Sequence, residues 1–66
     1  MKYIIMLGNE EFLTAFDPDA TGVQVLSDTN QEAAQPFTSQ DSAVEMLEEV
    51  RAFYHGDPGV RIVLDV

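Results

Sequence analysis

Residues 39–56, SQDSAVEMLEEVRAFYHG, decide the fold, because they predict one amphipathic helix that must pack on the rest of the chain. Ser39, or Thr38 one residue earlier, is predicted to cap its N-terminus, and Asp41 in the first turn favours the helix dipole. Gly56 is predicted to end the helix in a left-handed conformation. The apolar side chains form a single stripe, so the helix packs by one side and leaves the other in water: Ala43, Met46, Leu47, Val50, Phe53 and Tyr54.

Apolar alternation predicts four strands around this helix, at residues 2–7, 11–16, 23–27 and 60–66. The polar stretch at 28–38 is predicted to be a loop that returns Phe37 beneath the domain. The order βββαβ predicts one small α+β domain over residues 1–66, with a four-stranded mixed sheet of spatial order 3-2-1-4 and the helix packed on one face. In this arrangement the first, third and fourth strands run parallel to one another.

The charge of the chain is strongly biased, since twelve Asp and Glu against Lys2, Arg51 and Arg61 give a net charge of −9. Direct binding to nucleic acid or to anionic lipid needs basic residues, so this balance argues against both and predicts a basic partner. A large net charge also keeps small proteins soluble, which is the competing interpretation. The chain has no cysteine and no segment near the roughly 20 apolar residues of a membrane span, which favours a cytoplasmic protein.

Motifs that carry chemistry are scarce, and the sequence predicts a protein that is not an enzyme and holds no cofactor or metal. His55 at the helix end is interpreted as a capping or solvated residue. Carboxylate pairs are present, but a glycosidase-like pair needs a deep cleft that so small a chain rarely encloses. Five residues match part of an EF-hand calcium loop: Asp17, Asp19, Thr21, Gly22 and Asp28. The residues on either side are typical of strands, where an EF-hand has helices, and an ordinary β-turn explains the same residues.

The helix carries four carboxylates opposite its apolar stripe, with no Lys or Arg among them: Asp41, Glu45, Glu48 and Glu49. At about 100° per residue they cluster within roughly 100° of the helix circumference. They follow one another at about one charge per 3 to 4 Å of helix axis, close to the ~3.4 Å between phosphates along one DNA strand. Like charges four residues apart destabilise a helix by a few tenths of a kcal/mol.

Only Arg51 is near enough in the sequence to offset Glu48. A face that serves solubility alone usually intersperses Lys or Arg among its acids, so the pattern gives a functional acidic surface the same weight as a merely solvated one. We predict that the helix acids bind a partner, supported by Asp17, Asp19 and Glu32 from turns and loops.

The chain is small, acidic and free of cysteine, has the order βββαβ, and contains the segment A-x-x-F-x-S-x-x-x-A, formed by Ala34, Phe37, Ser39 and Ala43. In these features it resembles small proteins of bacteriophages and mobile elements. Among these the chain resembles the anti-CRISPR proteins directed at type I surveillance complexes, in particular type I-C. The resemblance implies a non-enzymatic inhibitor in the bacterial host cell. It would bind a basic, Cascade-like DNA-binding complex through a DNA-mimicking surface and block recognition of target DNA.

A second hypothesis is a small phage accessory protein or subunit that acts as a protein–protein interaction module. Its surface would be the sheet face away from the helix, where four apolar side chains are predicted to be exposed: Ile4, Met6, Leu13 and Ala15. The sequence favours a monomer and leaves open a homodimer through that face or through an edge strand.

Overall fold

The computed structural model describes residues 1–8 and 10–65, and its elements follow the predicted order. They are β1 (Lys2–Met6), β2 (Phe12–Phe16), β3 (Val25–Asp28), a 3₁₀ turn (Gln31–Ala33), α1 (Gln40–Phe53) and β4 (Arg61–Asp65). The sheet order β3-β2-β1-β4, with α1 on one face, confirms the α+β prediction. The last strand was predicted to reach Val66, which lies outside the described residues. Among the described residues, no helix has the length and apolar character needed to cross a bilayer.

The prediction of a mixed sheet is wrong, because β4 runs antiparallel to β1. The two strands pair in an unbroken register from Lys2 opposite Asp65 to Met6 opposite Arg61. The β1–β2 and β2–β3 pairs are antiparallel as well. The whole four-stranded sheet is therefore antiparallel.

β4 runs opposite to the predicted direction because the loop before α1 enters the sheet between β1 and β2. Tyr3 and Phe37 exchange two backbone hydrogen bonds of 2.8 Å in an antiparallel bridge, and the Gln35 N–H donates to the Leu13 carbonyl at 2.9 Å. Since β1 and β2 pair directly at only one position beside their shared turn, residues 35–37 lie between the two strands further along. The chain therefore enters α1 from a segment antiparallel to β1, and the helix is the crossover between that segment and β4, which runs parallel to it.

The core has two parts, one on each face of the sheet. Beneath α1, the buried residues come from the sheet, the loop and the helix: Ile5, Leu13, Phe37, Ala43, Val50 and Val60. On the opposite face Ile4 and Phe12 pack with Ala34, which the loop after β3 contributes. Each face is thus covered, one by the helix and one by part of the loop.

The ends of α1 follow the local signals in the sequence. The Ser39 hydroxyl accepts a hydrogen bond from the Ser42 N–H at 3.3 Å, so Ser39 rather than Thr38 is the N-cap. At the other end Gly56 has a φ of +79° and its N–H donates to the Arg51 carbonyl at 2.7 Å, which confirms the predicted left-handed termination. His55 also has positive φ, at +59°, and its side chain is exposed.

Candidate functional site

The outer side of α1 carries the four helix acids, and we refer to Asp41, Glu45, Glu48 and Glu49 together as the acidic ridge. All four are exposed. The inner side of the same helix is fixed by the buried Ala43 and Val50 and by half-buried Met46 and Leu47, which pack on the core. Because one stripe of a helix is held against the sheet, the residues opposite it are held in a fixed direction towards solvent. The ridge is therefore presented by a packed element and not by a loop.

Arg51, which lies near enough to Glu48 in the sequence to offset its charge, makes its contact elsewhere. Its guanidinium Nη2 donates to the Val60 carbonyl at 2.7 Å, and the residue is half-buried. A long side chain at the edge of a helix face can turn either way, and here the carbonyl just before β4 draws the arginine inwards. The acidic ridge loses the one cation that the sequence placed near it.

The other two basic residues also lie away from the ridge. Lys2 Nζ is 2.8 Å from Asp65 Oδ2, which makes the single ion pair found among residues 1–8 and 10–65. Arg61 donates to the Gly59 carbonyl at 3.1 Å. No carboxylate of the ridge is therefore neutralised by a basic residue of the described chain.

The Lys2–Asp65 pair shows what a neutralised carboxylate looks like in this protein. The hydrogen bond from Lys2 holds the pKa of Asp65 below its ordinary value, and a second bond from the Gln31 amide, at 2.7 Å, acts in the same direction. Partial burial opposes both effects without cancelling them. This carboxylate is satisfied internally, in contrast to the ridge.

An open depression lies at the N-terminal end of the acidic ridge, lined by Gln40, Asp41, Val44 and Glu45. Val44 is exposed and places an apolar side chain beside the carboxylates of Asp41 and Glu45. Such a surface suits the side chain of a lysine or arginine, whose aliphatic part can contact the valine while its charge meets the carboxylates.

The turn and loop acids that were predicted to support the ridge lie on other elements. Asp17 and Asp19 occupy the turn between β2 and β3, where the Asp17 carboxylate accepts a hydrogen bond from the Asp19 N–H at 3.0 Å. Glu32 lies in the 3₁₀ turn, two residues before Ala34, which packs on the face away from α1. All three are exposed, but among the described residues no hydrogen bond or ion pair joins them to the ridge.

The EF-hand-like match at residues 17–28 covers the turn between β2 and β3 and the whole of β3. β2 ends at Phe16 and β3 begins at Val25, and a backbone bond from the Asp17 N–H to the Gln24 carbonyl, at 2.9 Å, closes the turn. The Asp28 carboxylate accepts from the Asn30 N–H at 2.8 Å. Nowhere in the described part of the chain do three or more acidic, histidine or cysteine side chains converge as a metal site would need.

The apolar sheet face of the second hypothesis is largely covered. Ile4 and Leu13 are fully buried, Met6 is half-buried, and only Ala15 is exposed. Leu13 lies beneath the helix rather than opposite it, beside a register shift between Leu13 and Ala15 that interrupts the alternation of β2. Ile4 is covered by Ala34 of the loop.

Neutralising part of the ridge is expected to stabilise the fold slightly. In the double variant Glu45→Gln/Glu49→Gln, the like-charge contacts along the helix disappear, and the free energy of unfolding should rise by a few tenths of a kcal/mol. Urea titrations at low ionic strength measure this change. Asp19→Asn/Glu32→Gln removes the same charge elsewhere and serves as the control. A loss of stability in the ridge variant alone would contradict the unpaired state of these carboxylates.

In comparisons with known proteins, no family model, no curated protein and no solved structure matches the chain.

Proposed function

We propose that the protein is a non-enzymatic inhibitor that binds a DNA-binding effector through the acidic ridge and occupies the place of DNA. One observation supports this more than any other: the ridge carboxylates are exposed on a packed helix, while all three basic residues make their contacts elsewhere. Repulsion between these carboxylates only weakens the isolated fold. The Lys and Arg side chains of a basic partner would offset this repulsion and be attracted to the same carboxylates.

The spacing of the ridge suits a surface that normally holds nucleic acid. The four carboxylates span about 12 Å of helix axis, just over two turns, so their mean density is close to that of phosphates spaced ~3.4 Å apart along a DNA strand. A basic groove that neutralises phosphates can therefore neutralise the ridge with the same Lys and Arg side chains. The net charge of −9 adds long-range attraction that speeds encounter with such a groove.

The effector class follows from the resemblance to anti-CRISPR proteins. On this proposal the partner is a type I surveillance complex, in particular of type I-C, in the cytoplasm of a bacterial host. The inhibitor blocks recognition of target DNA by occupancy, without binding nucleic acid or membrane itself. Asp17, Asp19 and Glu32 would contact the partner outside the ridge, because all three are exposed on the periphery of the domain.

The alternative, an interaction module that uses the apolar sheet face, has weaker support. Two of its four residues, Ile4 and Leu13, are fully buried.

The proposal is tested by capture of the effector with and without competing DNA. Tagged protein is mixed with a bacterial lysate that contains a type I surveillance complex, and the retained subunits are identified by mass spectrometry. We expect capture of the complex, release when target DNA is added first, and weaker capture at high salt. Retention of the complex at undiminished levels in the presence of saturating target DNA would contradict a mechanism of occupancy.

A further inference from the structure

The strand β4 forms one edge of the sheet, since the strand order places β1 on one side of it and no strand of the described chain on the other. Edge strands are usually protected by proline, bulges or charged side chains, lysine above all. Residues 61–65 contain no proline, bulge or lysine, their two charged residues stand only at the strand ends, and their register with β1 is unbroken. The opposite edge strand β3 is shorter and pairs across an irregular register. β4 is therefore the edge better suited to accept a further strand.

The backbone of β4 offers its free hydrogen-bonding groups at two residues. Tyr3 directs its N–H and C=O to Phe37, away from β4, so the Tyr3–Leu64 pair is a non-hydrogen-bonded pair. Alternation along the strand makes Ile5–Ile62 a pair of the same kind. The N–H and C=O groups of Ile62 and Leu64 consequently point to the open edge, whereas those of Val63 point to β1.

All three basic side chains of the protein lie at this strand. Lys2 pairs with Asp65, and Arg51 donates to the carbonyl of Val60, the residue before β4. Arg61 belongs to β4, and its described contacts are the Gly59 carbonyl and, at 2.9 Å, the Met6 sulfur. Arg61 thus has no carboxylate partner among the described residues. The edge at β4 is where the acidity of the chain is most nearly compensated.

We propose that β4 is a dimerisation edge, on which a second copy of this chain pairs antiparallel about a two-fold axis at Val63. In this register Ile62 of each copy lies opposite Leu64 of the other. The outward N–H and C=O groups of these residues then form four hydrogen bonds across the interface. Leu64, now 42% exposed, is covered by Ile62 of the second copy.

The occupant is a second copy because the charges of β4 complement one another in this register. Pairing about Val63 sets Arg61 of one copy opposite Asp65 of the other, twice, and cross-strand pairs of opposite charge stabilise a sheet. Asp65 keeps its bonds from Lys2 and Gln31, one on each oxygen, and each carboxylate oxygen can accept a further bond. A shift of the two-fold axis by one residue in either direction removes both charge pairs. The sequence RIVLD at 61–65 is therefore its own antiparallel complement.

The proposed dimer has a consequence for the acidic ridge. A two-fold axis that joins two edge strands in one continuous sheet is perpendicular to that sheet. Both copies of α1 therefore lie on the same face of an eight-stranded sheet, and both ridges face the same side. This inference goes beyond the inhibitory function and does not depend on it. On this proposal the protein is the edge-strand homodimer that the sequence left open, and not the monomer that the sequence favours.

The mass of the protein in solution tests the proposal directly. In sedimentation equilibrium from micromolar to millimolar concentration, the unmodified chain should approach twice its 7.3 kDa. Leu64→Lys should weaken the dimer at least tenfold, because it places a hydrophilic charge against Ile62 of the other copy. Leu26→Lys makes the same change on the β3 edge, where Leu26 is also exposed, and should leave the dimer unchanged. A monomer throughout this range would overturn the proposal.

A cysteine cross-link tests the register, and the chain has no cysteine of its own to interfere. In the Val63→Cys variant the two thiols lie across the axis in a non-hydrogen-bonded pair, with Cα atoms about 4.5 Å apart. This distance falls within the range of disulfides. We expect a covalent dimer on mild oxidation, formed faster than in the control Leu26→Cys, although Leu26 is more exposed at 53%. Equal rates of cross-linking, or none at Val63, would refute pairing about this residue even if a dimer forms.

Discussion

Charge reversal of Glu45 and Glu49 to lysine is expected to abolish binding to the proposed DNA-binding effector while the fold stays intact. Both residues are exposed and belong to the face of α1 opposite the buried Ala43 and Val50. Each substitution replaces an attraction to a basic groove with a repulsion, and like charges juxtaposed at an interface cost several kcal/mol. We expect the affinity to fall by at least ~10²-fold. Titration calorimetry or competition with labelled target DNA measures it, and circular dichroism reports the fold.

The matched control for this variant changes net charge by the same amount away from the ridge. Glu10→Lys/Asp28→Lys alters two exposed acids outside the predicted binding residues, one in the turn before β2 and one at the end of β3. If the ridge is the binding surface, this control loses much less affinity. An equal loss in both variants would mean that overall charge, and not the helix surface, drives association. Undiminished inhibition by Glu45→Lys/Glu49→Lys would refute the DNA-mimic mechanism.

Local patterns predicted the helix and the strand order. Ser39, the apolar stripe of α1 and Gly56 are signals carried by the helix itself and its two ends, and each of them acts as predicted in the structure. The direction of β4 was not predictable in this way. It depends on the bridge between Tyr3 and Phe37, which are far apart in the sequence and are joined by backbone atoms. Backbone pairing leaves no periodic signal in a polar segment that contains Pro36.

The exposure of the ridge was predictable for the same reason as the helix, because helical periodicity fixes which residues oppose the apolar stripe. The direction of the Arg51 side chain was not predictable from the sequence. Its guanidinium donates to the carbonyl of Val60, a residue that only tertiary folding brings close. The positions of Asp17, Asp19 and Glu32 relative to the helix likewise depend on turn geometry. Sequence reasoning therefore identified the acidic helix face but not its isolation from every basic residue.

The largest loss of stability is expected for Phe37→Ala. Phe37 is only 9% exposed and packs in the cluster beneath α1. Its backbone bridges Tyr3, and it stands two residues before the cap of the helix. Removal of a buried phenylalanine side chain costs about 3–5 kcal/mol. A domain of this length has a total stability of only roughly 3–10 kcal/mol, so the variant should be largely unfolded at the upper end of that cost.

Phe53→Ala is the control for this substitution, because Phe53 is 42% exposed and contacts Phe16 and Tyr54 edge to face at the end of α1. Its truncation removes less buried surface and should cost less than half as much. Urea denaturation of both variants, followed by far-UV circular dichroism, measures the difference. If the two losses are equal, the segment at 35–37 does not hold the sheet and the helix together as the structure indicates. If Phe37→Ala alone unfolds the protein, the packing of this side chain beneath α1 is the contact that holds the helix, and with it the acidic ridge, on the sheet.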